Sequence, residues 1–551
     1  MSFLLNKNNH IYFLLIITSI IGLNIYQDFG IGIEEHFQRK SGFYWLNYII
    51  NLTELNNLKS IIAVKIANIE NFTPRLFPIK DFPFYGILFD LPTALIETIF
   101  NINEPQNYFY LRHLINFFIF LLSAYFFYKL IKIQFNNHYL AIFGFIIFIF
   151  TPRIFGNIFF DNKDLFFLSI FTINMYLFVK YNNNRSITNL LIFSLFCALS
   201  TSSRIIGILV PISFIVFILI ELISNNNFKG LLKILIYFLL SYFLFLFIHW
   251  PYLWSLNLSN FFNFFKPFFY AMNPTIFFSG EFYESKYLPI SYLPVWIFIS
   301  TPIYIIIFSL LGFIFHIRRI FTRYTLIKMN TKFNSHDLWK SKKEKNDFYF
   351  FLIFIAIIFL YFTIFPALMS GWRHFYFLNF FIIYYTIVFT HILFLKFRKK
   401  DKTKNILLAF LFIVNLILFY DISKYHPFQS SYFNNFISKE TKYKFEIDTQ
   451  SLSRVHALRE ILKENKKVAI VGTASWTPLE DARSLIPMKL WSSIQFVGTN
   501  YKNADYIYTN YIYEINTIYN KKYEIPESFY LYKKFVIDDT RIYSIFKKKV
   551  E

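Results

Sequence analysis

Runs of about 20 mostly apolar residues, the length a helix needs to cross roughly 30 Å of hydrocarbon, recur through the first three-quarters of this 551-residue chain. They fall near 11–27, 110–132, 138–152, 164–181, 187–203, 205–223, 231–249, 294–316, 348–366, 373–395 and 405–421. That pattern leaves one fold class: an α-helical polytopic membrane protein, with about 11 transmembrane helices. Composition agrees, because 56% of residues are hydrophobic and 16% charged, against about 25% charged in an ordinary soluble domain. The apolar stretch Ile11–Tyr26 follows Lys7 and runs into Gln27-Asp28-Phe29 without a small-residue cleavage site, so it reads as a retained anchor.

A net charge of +22 would suggest nucleic acid in a soluble protein, but here the Lys and Arg residues stand beside apolar runs, where they mark the cytoplasmic side. Nucleic acid is therefore not expected as a partner. One segment, 82–100, is ambiguous: it contains Asp90, Pro92 and Glu97, too costly for a lipid-exposed span but acceptable at an interface. Counting it as interfacial, with a cytoplasmic N-terminus, puts Lys129/Lys132, Lys180/Arg185, Lys229/Lys233, Arg318 to Lys345 and Lys396 to Lys404 all inside. The chain then divides into a membrane module, 1–421, with its first outer loop at 28–109, and an extracytoplasmic tail, 422–551.

The tail has no span-length apolar run and reads as a small α/β domain. Its patterns predict a helix over Ser453 to Glu464, strands at Lys467 to Gly472 and Ala504 to Tyr508, and a hairpin of Phe529 to Ile537 and Arg541 to Phe546 around Asp538-Asp539. The lone Gly472 is no dinucleotide fingerprint. The single cysteine, Cys197, excludes an intrachain disulfide.

With the sides assigned, polar residues gather at the outer boundary. The first loop opens with Asp28-Phe-Gly-Ile-Gly-Ile-Glu34-Glu35-His36-Phe37, and the second carries Pro152-Arg153 and then Asp161-Asn-Lys163-Asp164. Further boundaries hold Ser200-Thr-Ser-Ser-Arg204, His249-Trp250-Pro251-Tyr252 and Ser370-Gly371-Trp372-Arg373-His374. Taken singly, an acid in an outer loop is usually solvated and an arginine at a span end usually snorkels to headgroups. The set is less easily dismissed, since acids beside apolar residues need cationic or hydroxyl partners to offset desolvation.

Four of these features carry a resemblance: Glu34-Glu35 after the first span, Asp164 closing an Asn-Lys-Asp stretch, the Gly371-Trp-Arg-His374 boundary, and Pro427-Phe-Gln-Ser-Ser-Tyr-Phe-Asn434 at the entry to the tail. Together they resemble the polyprenyl-phosphate-sugar-dependent GT-C glycosyltransferases, in particular the protein O-mannosyltransferase and aminoarabinose transferase branch (glycosyltransferase family 39-like). That family's first-loop motif is usually Asp-Glu, so Glu34-Glu35 departs from it, and its leading Asp corresponds either to Glu34 or to Asp28.

The resemblance implies a membrane glycosyltransferase that moves a hexosyl or pentosyl group from a polyprenyl-phosphate donor to an acceptor hydroxyl, with inversion. The expected general base is Glu34, Glu35 or Asp28, with Asp164 orienting the acceptor or stabilising charge on the sugar. Arg204, Arg373 and His374 would hold the departing phosphate, with Lys163 and Arg112 as second choices. Asp161 and His36 lie beside these groups, and Trp250 and Trp372 would suit stacking on sugar rings, although an interfacial aromatic belt accounts for them equally. No cofactor is expected. His36 and its neighbouring glutamates could ligate a divalent metal, but no His-x-x-x-His or similarly spaced pair occurs.

Acceptors of this chemistry include a protein, lipopolysaccharide or another lipid-linked glycan, with membrane lipid as the solvent. The expected location is a bacterial inner membrane, with the tail in the periplasm. Two other classes compete. A lipid or glycan transporter or flippase would place ionisable residues at mid-membrane depth, and the central parts of these spans contain no Asp, Glu, Lys or Arg. A non-catalytic envelope scaffold gives no reason for carboxylates and arginines to share one face.

Overall fold

The computed structural model describes residues 9–72, 85–224, 228–254, 259, 274–325, 341–364, 366–464, 468–514 and 521–549. Eight of its helices are long and apolar enough to cross a membrane: Pro105–Phe135, Asp164–Asn183, Ile205–Leu222, Phe228–His249, Ile303–Thr322, Lys342–Ile364, Arg373–Lys396 and Asp401–Tyr425. Three shorter apolar helices, His10–Ile25, His138–Ile149 and Ile187–Ser203, occupy the remaining expected runs. The differences are at boundaries. The run expected at 294–316 is two helices, Tyr292–Ser300 and Ile303–Thr325, because Pro302 cannot donate to the preceding turn. The run at 138–152 stops at Ile149, and Pro152 opens a separate short helix, Pro152–Asn157.

The helices are graded from wrapped to lipid-facing. In the Asp164–Asn183 helix 89% of the apolar stretch is buried, against 22% in Ile303–Thr322 and 28% in Phe228–His249, so the helix that begins with Asp164 is the central post. It packs against Pro105–Phe135, Ile187–Ser203, Lys342–Ile364 and the turn at Arg373–Leu378. Aromatic rings fill the space around it: Phe178 stacks on Tyr349 at 3.7 Å, and Phe171 meets Phe380 and Phe381 edge to face at 5.7 Å. The Phe-rich composition is thus spent on packing. Where helices must come closer, glycine allows it: a Cβ on Gly312 would stand 2.0 Å from the Tyr385 carbonyl oxygen.

One end of the bundle is joined by a polar network that ties together the loops assigned to the cytoplasm. Asp347 accepts hydrogen bonds from Gln134, Tyr384 and Arg319, Asn346 bonds Asn182 and Gln134, and Glu221 pairs with Arg185 and Lys345. These residues come from six different spans, so their ends lie on one side, as the charge distribution requires.

At the opposite end the described residues of 28–109, the segment expected as the first outer loop, form three helices, Glu35–Asn51, Asn56–Phe72 and Asp90–Ile99. The segment expected to be interfacial at 82–100 contributes only the 10-residue Asp90–Ile99 helix, too short to cross, and residues 73–84 lie outside the described residues. Apolar side chains at Leu52, Leu55, Ile61 and Val64 are exposed, as at a lipid interface.

Strands β1 (Thr275–Phe278) and β2 (Glu281–Glu284) pair as an antiparallel hairpin ahead of the tail, which holds the helix Ser453–Glu464 and a five-stranded sheet, in which β3 (Ala469–Thr473), β4 (Ile494–Gly498), β5 (Tyr506–Thr509), β6 (Phe529–Ile537) and β7 (Thr540–Lys548) are ordered β4-β3-β5-β7-β6. The first three are parallel and the rest antiparallel. The β6–β7 hairpin turns at Asp538-Asp539, both at positive φ, as the sequence pattern predicts. Strand β4 was not expected, and Lys467 lies outside the described residues.

Candidate functional site

The charged residues of four boundaries converge because each is delivered by a helix terminus. Asp164 is the first residue of the central helix, and Asp161 prepares that start by accepting the Asp164 N–H at 2.9 Å. The aligned peptide dipoles there favour an anionic side chain. Arg204 follows the Ile187–Ser203 helix, where the chain reverses so tightly that a Cβ on Gly207 would lie 2.0 Å from the Ser200 carbonyl oxygen. Arg373 re-enters the membrane after Ser370 and Gly371, both at positive φ, which turn the chain back. Glu34 immediately precedes the Glu35–Asn51 helix.

The side chains meet in one network. Arg204 pairs with Asp164 Oδ1, and Arg373 donates to Glu34 Oε1 while its Nε stands 4.0 Å from Asp164 Oδ2. Lys163 reaches Glu34 Oε2 at 3.6 Å and lies 3.9 Å over the Tyr85 ring. Gln38, one turn along the helix, donates to Glu34 at 3.3 Å. His374 faces Glu34 at electrostatic range. Asp164 and Arg373 are almost fully buried, whereas 27% of the Glu34 side chain is exposed.

Environment separates the carboxylates. Burial pushes the Asp161 carboxyl up to about 7, more than Arg373 and Arg204 pull it down. At Glu34 burial acts in the same direction, but Arg373 and Lys163 outweigh it and hold the group well below the usual carboxylate range. One acid is thus fixed as an anion, and the other titrates near neutral pH. The buried Oδ2 of Asp161 has no hydrogen-bond partner within the chain, and neither do the buried Nε atoms of Arg204 and Arg373. Unsatisfied buried groups of both signs within electrostatic reach of one another suit a polar ligand.

Beside the network a cleft runs between the Glu35–Asn51 helix and the central post. Phe37, Tyr85, Leu88, Phe89 and Phe166 give it an apolar wall, while Asn162, Lys163, Ser202 and Ser203 supply polar groups. Sequence reasoning did not single out Gln38, Tyr85, Ser202 or Ser203. Gln38 was legible as the residue one helical turn after Glu34, and the serines lay within the Ser200 to Arg204 motif.

Other predicted residues lie elsewhere. Glu35 cannot share a face with Glu34, since consecutive helical residues point about 100° apart. It is buried, accepts the Gly32 N–H at 2.7 Å and lies 3.1 Å from His113 Nε2. Asp28 turns to the tail, with His426 Nε2 at 2.9 Å from its carboxylate. Arg112 pairs with Asp90 and donates to Thr93 at 2.6 Å. His36 stands 3.1 Å from the Asp481 carbonyl oxygen and edge-on to Phe109. Trp250 and Trp372 are buried in the core, and Trp372 donates to Ser300 at 2.8 Å, so neither presents a free ring face. Among the described residues no group of three His, Cys, Asp or Glu side chains is placed to hold a metal ion.

The tail braces the segment that leads into Glu34. Arg454 donates to the Ile31 carbonyl at 3.1 Å, His456 Nε2 lies 3.0 Å from the Asp28 carbonyl, and a Cβ on Gly30 would stand 2.3 Å from the Leu452 carbonyl oxygen.

No family model matches the sequence, and no curated protein matches it. Eight chains of solved structures are similar in fold. One is the archaeal oligosaccharyltransferase AglB from Archaeoglobus fulgidus in complex with an inhibitory peptide and a dolichol-phosphate, at 11% identity and a TM-score of 0.48, covering 92% of this chain and 70% of that one. Another is an Archaeoglobus fulgidus oligosaccharyltransferase tethered to an acceptor peptide containing the NVT sequon, at 11% identity and a TM-score of 0.47, covering 90% of this chain and 64% of that one.

Proposed function

We propose that this chain is a membrane glycosyltransferase of the GT-C type that transfers a sugar from a polyprenyl-phosphate donor to an acceptor hydroxyl at the extracytoplasmic face of a bacterial inner membrane. The observation that carries the reading is the interleaving of Glu34, Asp161 and Asp164 with Arg204, Arg373 and Lys163 at one end of the bundle, beside an apolar-walled cleft.

In this reading the donor's isoprenoid tail lies along the cleft and its phosphate meets Lys163, Arg204 and Arg373. The acceptor oxygen attacks the anomeric carbon, the bond from that carbon to the phosphate oxygen breaks, and the lipid phosphate departs with the electron pair. Because that phosphate is already a weak base, its departure needs cations rather than a strong general acid. The hydroxyl proton goes to a carboxylate, and Asp161 fits the task better than Glu34, since a base works best when its pKa lies near the working pH. Glu34 then holds Arg373 in place, and Asp164 holds Arg204 and faces the positive charge growing on the sugar. A single displacement predicts inversion.

The test is transfer by purified protein from a synthetic polyprenyl-phosphate sugar, paired with mass spectrometry of envelope glycans with and without the gene. Donor turnover lost in Arg204→Gln and Asp164→Asn variants that remain folded is the expected result. Equal turnover in both variants and the wild type would remove the reading.

A further inference from the structure

The Glu35–Asn51 helix presents polar side chains on a second face. Gln38 points with Glu34 toward the network above, whereas His36 and Arg39, three residues apart, point the other way into a separate pocket under the tail. We propose that this pocket is a binding site for an oxyanion, the phosphate of a phosphorylated ligand, held by Arg39 and Lys65. The inference goes beyond the proposed transfer and does not depend on it.

The pocket is lined by His36, Arg39, Lys65, Asn68, Tyr108 and Ser484, together with apolar neighbours. Its two cations are built in rather than solvated: Arg39 is 7% exposed and Lys65 6%. Arg39 spends its Nε on Glu97 Oε2 at 2.9 Å and lays its guanidinium 3.5 Å over the Tyr108 ring, which fixes the plane and leaves the outer nitrogens for a ligand. Lys65 donates to the carbonyls of Glu97 and Ile102, at 3.2 and 2.8 Å, leaving one of its three protons.

Charge does not balance there. Arg39, Lys65 and Arg112 surround Glu97 and Asp90, the carboxylates paired with them among the described residues, so three cations face two acids. A buried excess of positive charge is unfavourable unless an anion joins it. The pocket also includes Pro105, the first residue of the 31-residue Pro105–Phe135 helix, whose terminus adds a partial positive charge.

The probe is inorganic phosphate, measured by equilibrium dialysis on the purified full-length protein. Arg39→Lys keeps the charge and loses the planar fork, and it is expected to bind phosphate about tenfold more weakly, the loss of one charge-assisted hydrogen bond. Asn68 is exposed at the rim, so Asn68→Asp disturbs no buried contact and is expected to weaken binding by repulsion. Arg204→Gln must leave this class of bound phosphate intact, which separates it from the transfer site whether or not transfer is observed. Repeating the measurement in phosphatidylcholine nanodiscs with and without phosphatidylglycerol identifies the source: displacement by the anionic lipid assigns a headgroup, and no displacement assigns a soluble phosphorylated ligand. Phosphate binding unchanged in both Arg39→Lys and Asn68→Asp overturns the proposal.

Discussion

Arg204 and Asp164 form a buried ion pair across two helix termini, with only 1% of the Asp164 side chain exposed. The pair joins the end of one membrane helix to the start of another, and Arg373 stands 4.0 Å away on a third. Position along the chain did not dictate this pairing, and several measurable consequences follow from it.

Breaking the pair from one side leaves a desolvated charge. Asp164→Asn is expected to lower stability by about 3–5 kcal/mol in the limit where Arg204 finds no new partner, and less where Arg204 turns toward Glu34. The double variant Asp164→Asn/Arg204→Gln is expected to recover part of that loss in thermal unfolding without recovering transfer. Additive losses would show that the two residues do not interact.

Asp161 sets the pH response. Its folded pKa of about 7 lies above the ordinary 3.8, so protonation favours the folded state, and its contribution to stability, complete below about pH 4, is lost as pH rises through about 7. Transfer should show the opposite trend, rising with pH to a plateau above about 7 as the base loses its proton. Asparagine accepts the Asp164 N–H equally well, so Asp161→Asn should unfold at least as high as wild type at pH 8 while losing that limb and most of its rate. A wild-type rate that is flat between pH 5 and 8 contradicts the assignment.

The adjacent glutamates should fail in different ways. Glu34→Gln removes the anion that steadies Arg373, and a loss of about 100-fold in turnover is expected with little change in unfolding temperature. Glu35→Gln weakens the buried contacts to Gly32 and His113, and it should destabilise by about 1–3 kcal/mol with turnover per folded molecule largely kept. The reverse pattern would assign the reacting role to Glu35.

Docking of the tail should be sensitive to one methyl group. Gly30→Ala places a Cβ against the Leu452 carbonyl oxygen, where backbone cannot yield cheaply, and about 1–3 kcal/mol of strain is expected. Limited proteolysis should release the tail region sooner in this variant. Unchanged proteolysis together with unchanged turnover would show that the Asp28 to Gly32 segment is not braced as the structure indicates.

The sequence was most informative where physics is local. Apolar runs located the helices, basic loops sorted their ends, and alternation with a two-residue turn located the β6–β7 hairpin. The same signals missed β4, which is five residues long and carries its pairing partner β3 at a distance no local pattern records. They also left Glu34, Glu35 and Asp28 as equal candidates. The structure separates these three by direction: one faces the arginines, one the interior, and one the tail.

Which residues gather at one end of the bundle, and their types, were therefore legible in the sequence alone, because the energy of placing a charge near a bilayer depends on each segment by itself. Which acid meets which cation was decided by tertiary structure. Those contacts depend on helix rotation and on the crossing of segments hundreds of residues apart, and the same packing that buries Asp161 is what moves its proton affinity toward neutrality.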